Sequence, residues 1–207
     1  MKPSSVEIVD VTTNNLLERL LYKCLAPMPF RRYRRRREYL ERAIPKGFRK
    51  KVLTINGEVV GTIEYGPPEA SGYPIKGEDV IAMNCVWVLR KVKGHHLGMY
   101  LMKDMMENNR DASGFATIGL ENHWSPWLKK GQLERLGFKS IDSIKVAHKT
   151  KRDEEAFKIH LMWLQTKEDA KPPTWDRHKI LEGVHFCLAH PLYHPERLGM
   201  KQILQEL

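Results

Sequence analysis

The chain has 207 residues, 42% of them hydrophobic, and no apolar run approaches the ~18–20 residues that span a bilayer, so its composition describes one globular domain with a small appendage and argues against a membrane-spanning helix. Lys and Arg number 35 against 25 acids, a net charge of +10 and a pI near 9.5, which favours anionic partners but does not choose among a nucleotide-like cofactor, RNA and the ribosome. The N-terminal MKPSSVEIVD lacks an apolar signal region, and three cysteines (Cys24, Cys85, Cys187) cannot all pair, which together predict a reducing, cytoplasmic setting.

Residues 6–11 read as a first strand, after which Thr12 or Thr13 can cap a helix carrying Leu16, Leu17, Leu20 and Leu21 as an apolar stripe. Ala26-Pro27-Met28-Pro29 ends it, and residues 31–42 form a second, highly charged helix candidate stopped by Pro45-Lys46-Gly47. Residues 49–55 and 58–65 are hairpin strands joined at Asn56-Gly57, a strong turn signal. A loop rich in Pro and Gly (66–77) leads to an apolar central strand over 81–89. Beyond it Leu97, Tyr100, Leu101, Met105 and Met106 recur at helical spacing, so a helix starts near Leu97. A strand over 115–120, a helix over 124–136 ended by Gly137, and strands near 139–146 and 156–164 complete the order.

Between the central strand and the helix at Leu97 lies a short basic loop containing glycine. The first amides of that helix have no intrahelical acceptor, so with Lys91, Lys93 and Gly94 beside them they form a positive concavity suited to phosphate or pyrophosphate. Neither GxxxxGK[ST] nor a GxGxxG opening a βαβ unit is present. The string Lys93-Gly94-His95-His96-Leu97-Gly98 resembles the R-G-x-G-x-G/A pyrophosphate segment of the GNAT superfamily of N-acetyltransferases, with His96 standing where that family has its middle glycine. A second segment, Trp124 through Gly137-Phe138, resembles the family's late helix and its "LGF" corner, with Leu133 at the position where the family often has an acidic tyrosine.

The resemblance covers about residues 5–165 and implies an α/β (α+β) GNAT acyltransferase fold: a central mixed, mostly antiparallel sheet with splayed middle strands, flanked by helices. It divides the chain into a GNAT domain at 1–165 and a short C-terminal extension at 166–207 packing on it. It implies acetyl-CoA as cosubstrate, with Lys93, Gly94, His95, His96, Leu97, Gly98 and Met99 around the pyrophosphate and the backbone of Val86, Trp87 and Val88 aligning the pantetheine arm. More closely, Cys85-Val86-Trp87-Val88 followed by Arg90-Lys91 resembles a mostly archaeal and bacterial GNAT group whose strand reads C-L-W-V-x-R-K and which often continues into a YoaP-like C-terminal segment; residues 182–193 are similar to a shortened start of one.

On the acceptor side Glu64, at the end of the strand before the central one, is the candidate general base, against the alternative of a solvated strand-end glutamate. Of Asn84 and Cys85, one faces the cleft by period-two alternation. Six arginines in residues 31–37 surround Tyr33, and Arg31, Arg32, Arg34 and Arg35 are candidates for binding an acidic substrate or phosphate, against a merely solvated helix face. His185, Cys187, His190 and His194 have a spacing that can hold zinc, but Pro191 and Pro195 extend the stretch and no metal is expected. Trp87, Trp163 and Trp175 are expected in or against the core, Trp124 and Trp127 beside the acetyl arm.

The expected function is transfer of an acetyl group to an amine by direct attack in a ternary complex, there being no nucleophile–base pair for an acetyl-enzyme. The alternative is a catalytically compromised GNAT-fold binding protein that uses the arginine-rich helix to hold RNA or an acidic partner. Nucleic acid is thus possible but not favoured, and no membrane partner is expected.

Overall fold

The structure, a computed structural model, describes residues 5–13, 18–25, 34–149, 156–183 and 199–207, with backbone alone for residues 18, 34 and 35. Strands β1 (Val6–Asp10), β2 (Arg49–Ile55), β3 (Glu58–Gly66), β5 (Val80–Val88), β6 (Gly114–Glu121), β7 (Lys139–His148), β8 (Phe157–Gln165) and β10 (Leu204–Glu206) form one eight-stranded sheet in the order β1-β2-β3-β5-β6-β8-β7-β10. Only β5 and β6 run parallel in it. Short strands β4 (Ile75–Lys76) and β9 (Thr174–Trp175) pair separately. The helices are α1 (Glu18–Tyr22), α2 (Arg34–Ala43), α3 (Leu97–Glu107), α4 (Lys130–Arg135) and α5 (Arg177–Glu182).

The β2–β3 hairpin turns at Asn56 and Gly57, both at positive φ (50° and 80°), which is the backbone a two-residue turn between right-twisted strands needs. Period-two alternation then sorts the strands onto two faces. Val52 packs with Leu21, Leu40, Ala43 and Phe48 under α1 and α2. On the opposite face Leu97, Leu101 and Met105, one stripe of α3, pack with Leu53 and Ile63 in the main core, and Lys51 Nζ reaches Asp104 Oδ2 of α3 at 2.7 Å. Lys50, Thr62, Glu64, Cys85 and Trp87 therefore share the α1–α2 face, while Val86 and Val88 share the α3 face.

One expectation needs correction. The helix expected over 124–136 is confined to Lys130–Arg135, because residues 122–129 form an irregular wall: Asn122 and Leu128 take positive φ (60° and 46°), Pro126 removes a donor, and Ser125 N donates to His123 Nδ1. Leu204, Gln205 and Glu206 pair antiparallel with His148, Ala147 and Val146, and Ile203, Leu204, Ile180 and Leu181 lie in the main core.

Candidate functional site

Strands β5 and β6 pair only through Val80–Gly114, Ile81–Phe115 and Ala82–Ala116, and then part. Two features sit at the fork. Thr117 Oγ1 donates to Met83 O at 2.7 Å, the last tie between the strands. On the other side of β5 the register with β3 slips so that Asn84 is the extra residue between the pairs Glu64–Cys85 and Tyr65–Met83, a bulge that turns β5 away. The outer edge of β6 is capped instead by Leu120 N donating to Leu128 O at 2.8 Å.

Along the parted segment, Leu89 N donates to Val60 O at 2.9 Å, which fixes the phase of the antiparallel ladder. By alternation the backbone of Trp87 points to β3, and that of Val86 and Val88 points into the gap. The gap opens into a cavity of about 920 Å³ that runs from Gly94, His96, Leu97 and Gly98 at one end to Cys24, Leu25, Arg36 and Glu64 at the other.

At the first end the loop carries an unusual run of donors. Lys93 N is used on Arg90 O and Met99 N on His96 O, but among the described residues the amides of Gly94, His95, His96, Leu97 and Gly98 have no hydrogen-bond acceptor. A Cβ added at Gly94 or Gly98 meets nothing within 4 Å, so the space in front of these amides is open. His96 caps α3 in the left-handed conformation (φ 53°, ψ 21°), which is why the loop still bends here without a glycine. Its side chain is exposed on the cavity rim.

At the other end lies a buried ion cluster. Glu64 Oε1 is 2.5 Å from Arg36 Nη2 and 3.2 Å from Lys50 Nζ, and Glu64, Arg36 and Lys50 are 5%, 3% and 1% exposed. Burial pushes the Glu64 carboxyl up, but the attraction of Arg36 and then Lys50, with their hydrogen bonds, outweighs it and holds the group below the ordinary carboxylate range. Burial pulls the Lys50 ammonium down, and Glu64 returns only part of that. Lys50 Nζ also donates to Leu21 O (3.2 Å) and Lys23 O (2.6 Å), capping the C-terminal carbonyls of α1. Glu64 is thus neither the solvated strand-end residue of the alternative reading nor an uncommitted base; its charge ties α1, α2 and β2 together.

The third wall is residues 124–128, with Trp127 buried and Trp124 63% exposed at the mouth. Trp127 N donates to Ser125 Oγ, completing the bonds that pin this wall to His123.

No protein-family profile and no curated protein sequence matches the chain. Solved structures do match in fold. A protein assigned to the GNAT acetyltransferases from Desulfovibrio desulfuricans superposes with a TM-score of 0.55 at 15% identity, over 78% of this chain and 99% of that one. The ribosomal-protein-S18-alanine N-acetyltransferase of Escherichia coli gives 0.52 at 12% identity, over 81% and 100%. A GNAT acetyltransferase of Elizabethkingia anophelis with acetyl-CoA bound gives 0.50 at 15%, over 78% and 98%. The fold is that of the GNAT acetyltransferases.

Within this GNAT fold the expected site residues are only partly brought together. Val86, Trp87, Val88, Lys93, Gly94, His96, Leu97 and Gly98 line the one cavity, with Cys85 rather than Asn84 facing it. Two backbone assignments change: Trp87 is turned to β3, so it offers the cavity a side chain and not an amide, and the Met99 amide is spent on His96. Leu133 is buried on the wall and supplies no acid. Arg31 and Arg32 lie outside the described residues, as do the side chains of Arg34 and Arg35 and the His185–His194 segment. Among the described residues no group of three or more His, Cys, Asp or Glu is placed to hold a metal. Of the 31–37 arginines whose side chains are described, Arg36 reaches the cavity, and it was not among the site candidates; it shares the buried α2 stripe with Leu40 and Ala43, and that i, i+4, i+7 spacing was its available signal.

Proposed function

We propose that the protein is an acetyl-CoA-dependent N-acetyltransferase. The observation that carries this reading is the junction, along one cavity, of a parted β5–β6 fork with the Val86 and Val88 backbone turned into it and a loop of five unused amides at its mouth. The residues present fit the cosubstrate: the Gly94–Gly98 amides and Lys93 suit a pyrophosphate, open space in front of Gly94 and Gly98 leaves room for it, and Val86 and Val88 can pair an extended amide-bearing arm as a further strand would.

Acetyl-CoA supplies an acyl group already activated as a thioester. This chain's contribution is then alignment in a ternary complex: the amine nitrogen forms a bond to the acyl carbon, the carbon–sulfur bond breaks, the amine loses a proton and the thiolate takes one up. The Val86 and Val88 backbone, turned into the gap, offers N–H groups that would receive the charge developing on the acyl oxygen. Glu64 enters as an organiser and not as the general base, because an ionised carboxylate shared by two cations is weakly basic. The cluster's net positive charge favours the neutral form of an amine brought beside Cys85 and Trp87.

Residues 1–165 are read as the transferase unit and 166–207 as an extension, supported by the β7–β10 pairing. The chain is further assigned to the GNAT group with a C-L-W-V-x-R-K strand, supported by Cys85-Val86-Trp87-Val88 and Arg90-Lys91. A reducing cytoplasmic setting is supported by the three cysteines of the sequence, an odd number that cannot all pair within the chain. The test is the melting temperature with acetyl-CoA, CoA and ATP at moderate salt. A rise with acetyl-CoA and CoA alone, equivalent to about 2.7 kcal/mol at a hundredfold excess over Kd, is expected; no rise refutes the cosubstrate site.

A further inference from the structure

Resting on the acetyl-transfer reading, we propose that Cys85 is a covalent modification site: the thiol with which disulfides of CoA form a mixed disulfide inside the cavity that binds the cosubstrate. Cys85 is half-buried on β5 and lines that cavity on the α1–α2 face. It directly precedes Val86, and only three residues, about 10 Å of strand, separate it from Val88. An arm that starts at the Gly94–Gly98 amides and pairs along Val88 and then Val86 therefore carries its sulfur end toward Cys85. On the same face, one period along β5, Trp87 Nε1 is buried and has no hydrogen-bond acceptor among the described residues, a donor that a polar ligand lying beside Cys85 can use. Glu64, the register partner of Cys85 on β3, is ion-paired with Arg36 and Lys50, so it does not stand as a bare negative charge against a thiolate.

The exchange needs no oxidant beyond the disulfide itself. Cys85 loses its proton to water and its thiolate attacks the CoA sulfur. The sulfur–sulfur bond of the incoming disulfide breaks, and its other half leaves as a thiolate that takes up a proton. One thiol is consumed and one is released, so the electrons balance. Selectivity comes from the cavity and not from unusual reactivity of the thiol: a disulfide with a pyrophosphate is held by the loop amides with its sulfur beside Cys85, and a bimolecular encounter becomes an effectively unimolecular one. A disulfide lacking that handle meets a half-buried thiol by chance collision. Once formed, the adduct fills the acyl end of the cavity, so transfer stops until an external thiol restores Cys85.

The probe is the mixed disulfide of CoA with thiopyridine, whose release is followed by absorbance. Beside it runs the glutathione–thiopyridine disulfide, which has the same leaving group and no pyrophosphate. The full chain is used, and intact mass followed by a peptide map locates the adduct. The expected result is one CoA per chain, on Cys85, formed at least about tenfold faster than the glutathione adduct, saturating with probe concentration and suppressed by acetyl-CoA. The desalted adduct should keep a raised Tm that dithiothreitol removes. C85S should lose the fast phase and C24S should keep it. A glutathione adduct formed as fast, a CoA adduct that acetyl-CoA does not suppress, or one that maps to Cys24 or Cys187 overturns the proposal; the map is made on the wild-type chain, so that result stands whether or not the variants fold. A Tm rise with acetyl-CoA but no adduct at Cys85 sinks this inference alone. No Tm rise with acetyl-CoA, together with no preference for the CoA probe, sinks the transferase reading with it.

Discussion

Removing the Glu64 side chain is the sharpest test of how this site is held together. In Glu64→Ala the carboxylate that lies 2.5 Å from Arg36 and 3.2 Å from Lys50 disappears, and two cations that are 3% and 1% exposed stay behind. Breaking a buried pair from one side costs about 3–5 kcal/mol, because the remaining charge has lost both water and partner. For a chain of this size that lowers Tm by roughly 10 °C. E64Q keeps an acceptor oxygen for Arg36 and loses less. The pH dependence has a definite sign: the Glu64 carboxyl is depressed in the folded protein, so its contribution is complete above the ordinary carboxylate range and is lost as pH falls through the lower, folded value. The gap between wild type and E64Q should therefore be constant near neutrality and close in acid. An apolar replacement of the whole cluster, R36M/K50M/E64L, should recover much of the loss. Urea and thermal melts of the four proteins at neutral and acid pH measure all of this. E64A within about 1 kcal/mol of wild type, the range of exposed ion pairs, refutes the reasoning.

Gly98→Val should leave stability within about 0.5 kcal/mol, as at an open surface position, yet weaken acetyl-CoA at least about tenfold by calorimetry, because the new side chain occupies the space before the loop amides. Thr117→Val removes the hydroxyl that ties the fork at Met83 and should cost about 1–2 kcal/mol in the denaturant midpoint, with a further loss of acetyl-CoA affinity as the strands part deeper. At His96 the left-handed backbone rejects a β-branched residue, so H96V should cost about 1–2 kcal/mol while H96G stays near wild type; equal melts for the two variants contradict the bend.

The sequence was most readable where a local rule decides the structure. Asn56-Gly57 sets a turn from two residues, and the apolar run of β5 followed by a helix at Leu97 needs only periodicity, so those elements appear within a residue or two of expectation. Register was not readable, and register is what turns Val86 and Val88 into the gap and Trp87 out of it. Nor was the partner of Glu64, since Arg36 and Lys50 lie 28 and 14 positions away and only the folded sheet and α2 bring them together. The wall at 124–129 misled because Trp124, Trp127 and Leu128 have helical spacing, while Pro126 and the Ser125–His123 bond impose a turn that spacing cannot reveal. Strand β10 is three residues long, too short for alternation to announce it, and exists because β7 offers an edge.

How an amine loses its proton here follows from the same cluster. On the proposed acetyl-transfer reading the amine enters beside this cluster, where the groups described are the Glu64 carboxylate and the Arg36 and Lys50 cations that engage it. A positive wall lowers the amine's pKa, so the acidic limb of kcat, where activity is lost as pH falls, should report the bound amine. Neutralising Glu64 makes the wall more positive still. E64Q should therefore keep substantial activity and move that limb to lower pH, whereas a true general base at Glu64 predicts that activity falls by two orders of magnitude or so at every pH. The pH profile of kcat for wild type and E64Q, on an acceptor of known amine pKa, decides between the two. A limb that stays in place while activity collapses returns Glu64 to the role of base and removes electrostatic deprotonation from the mechanism.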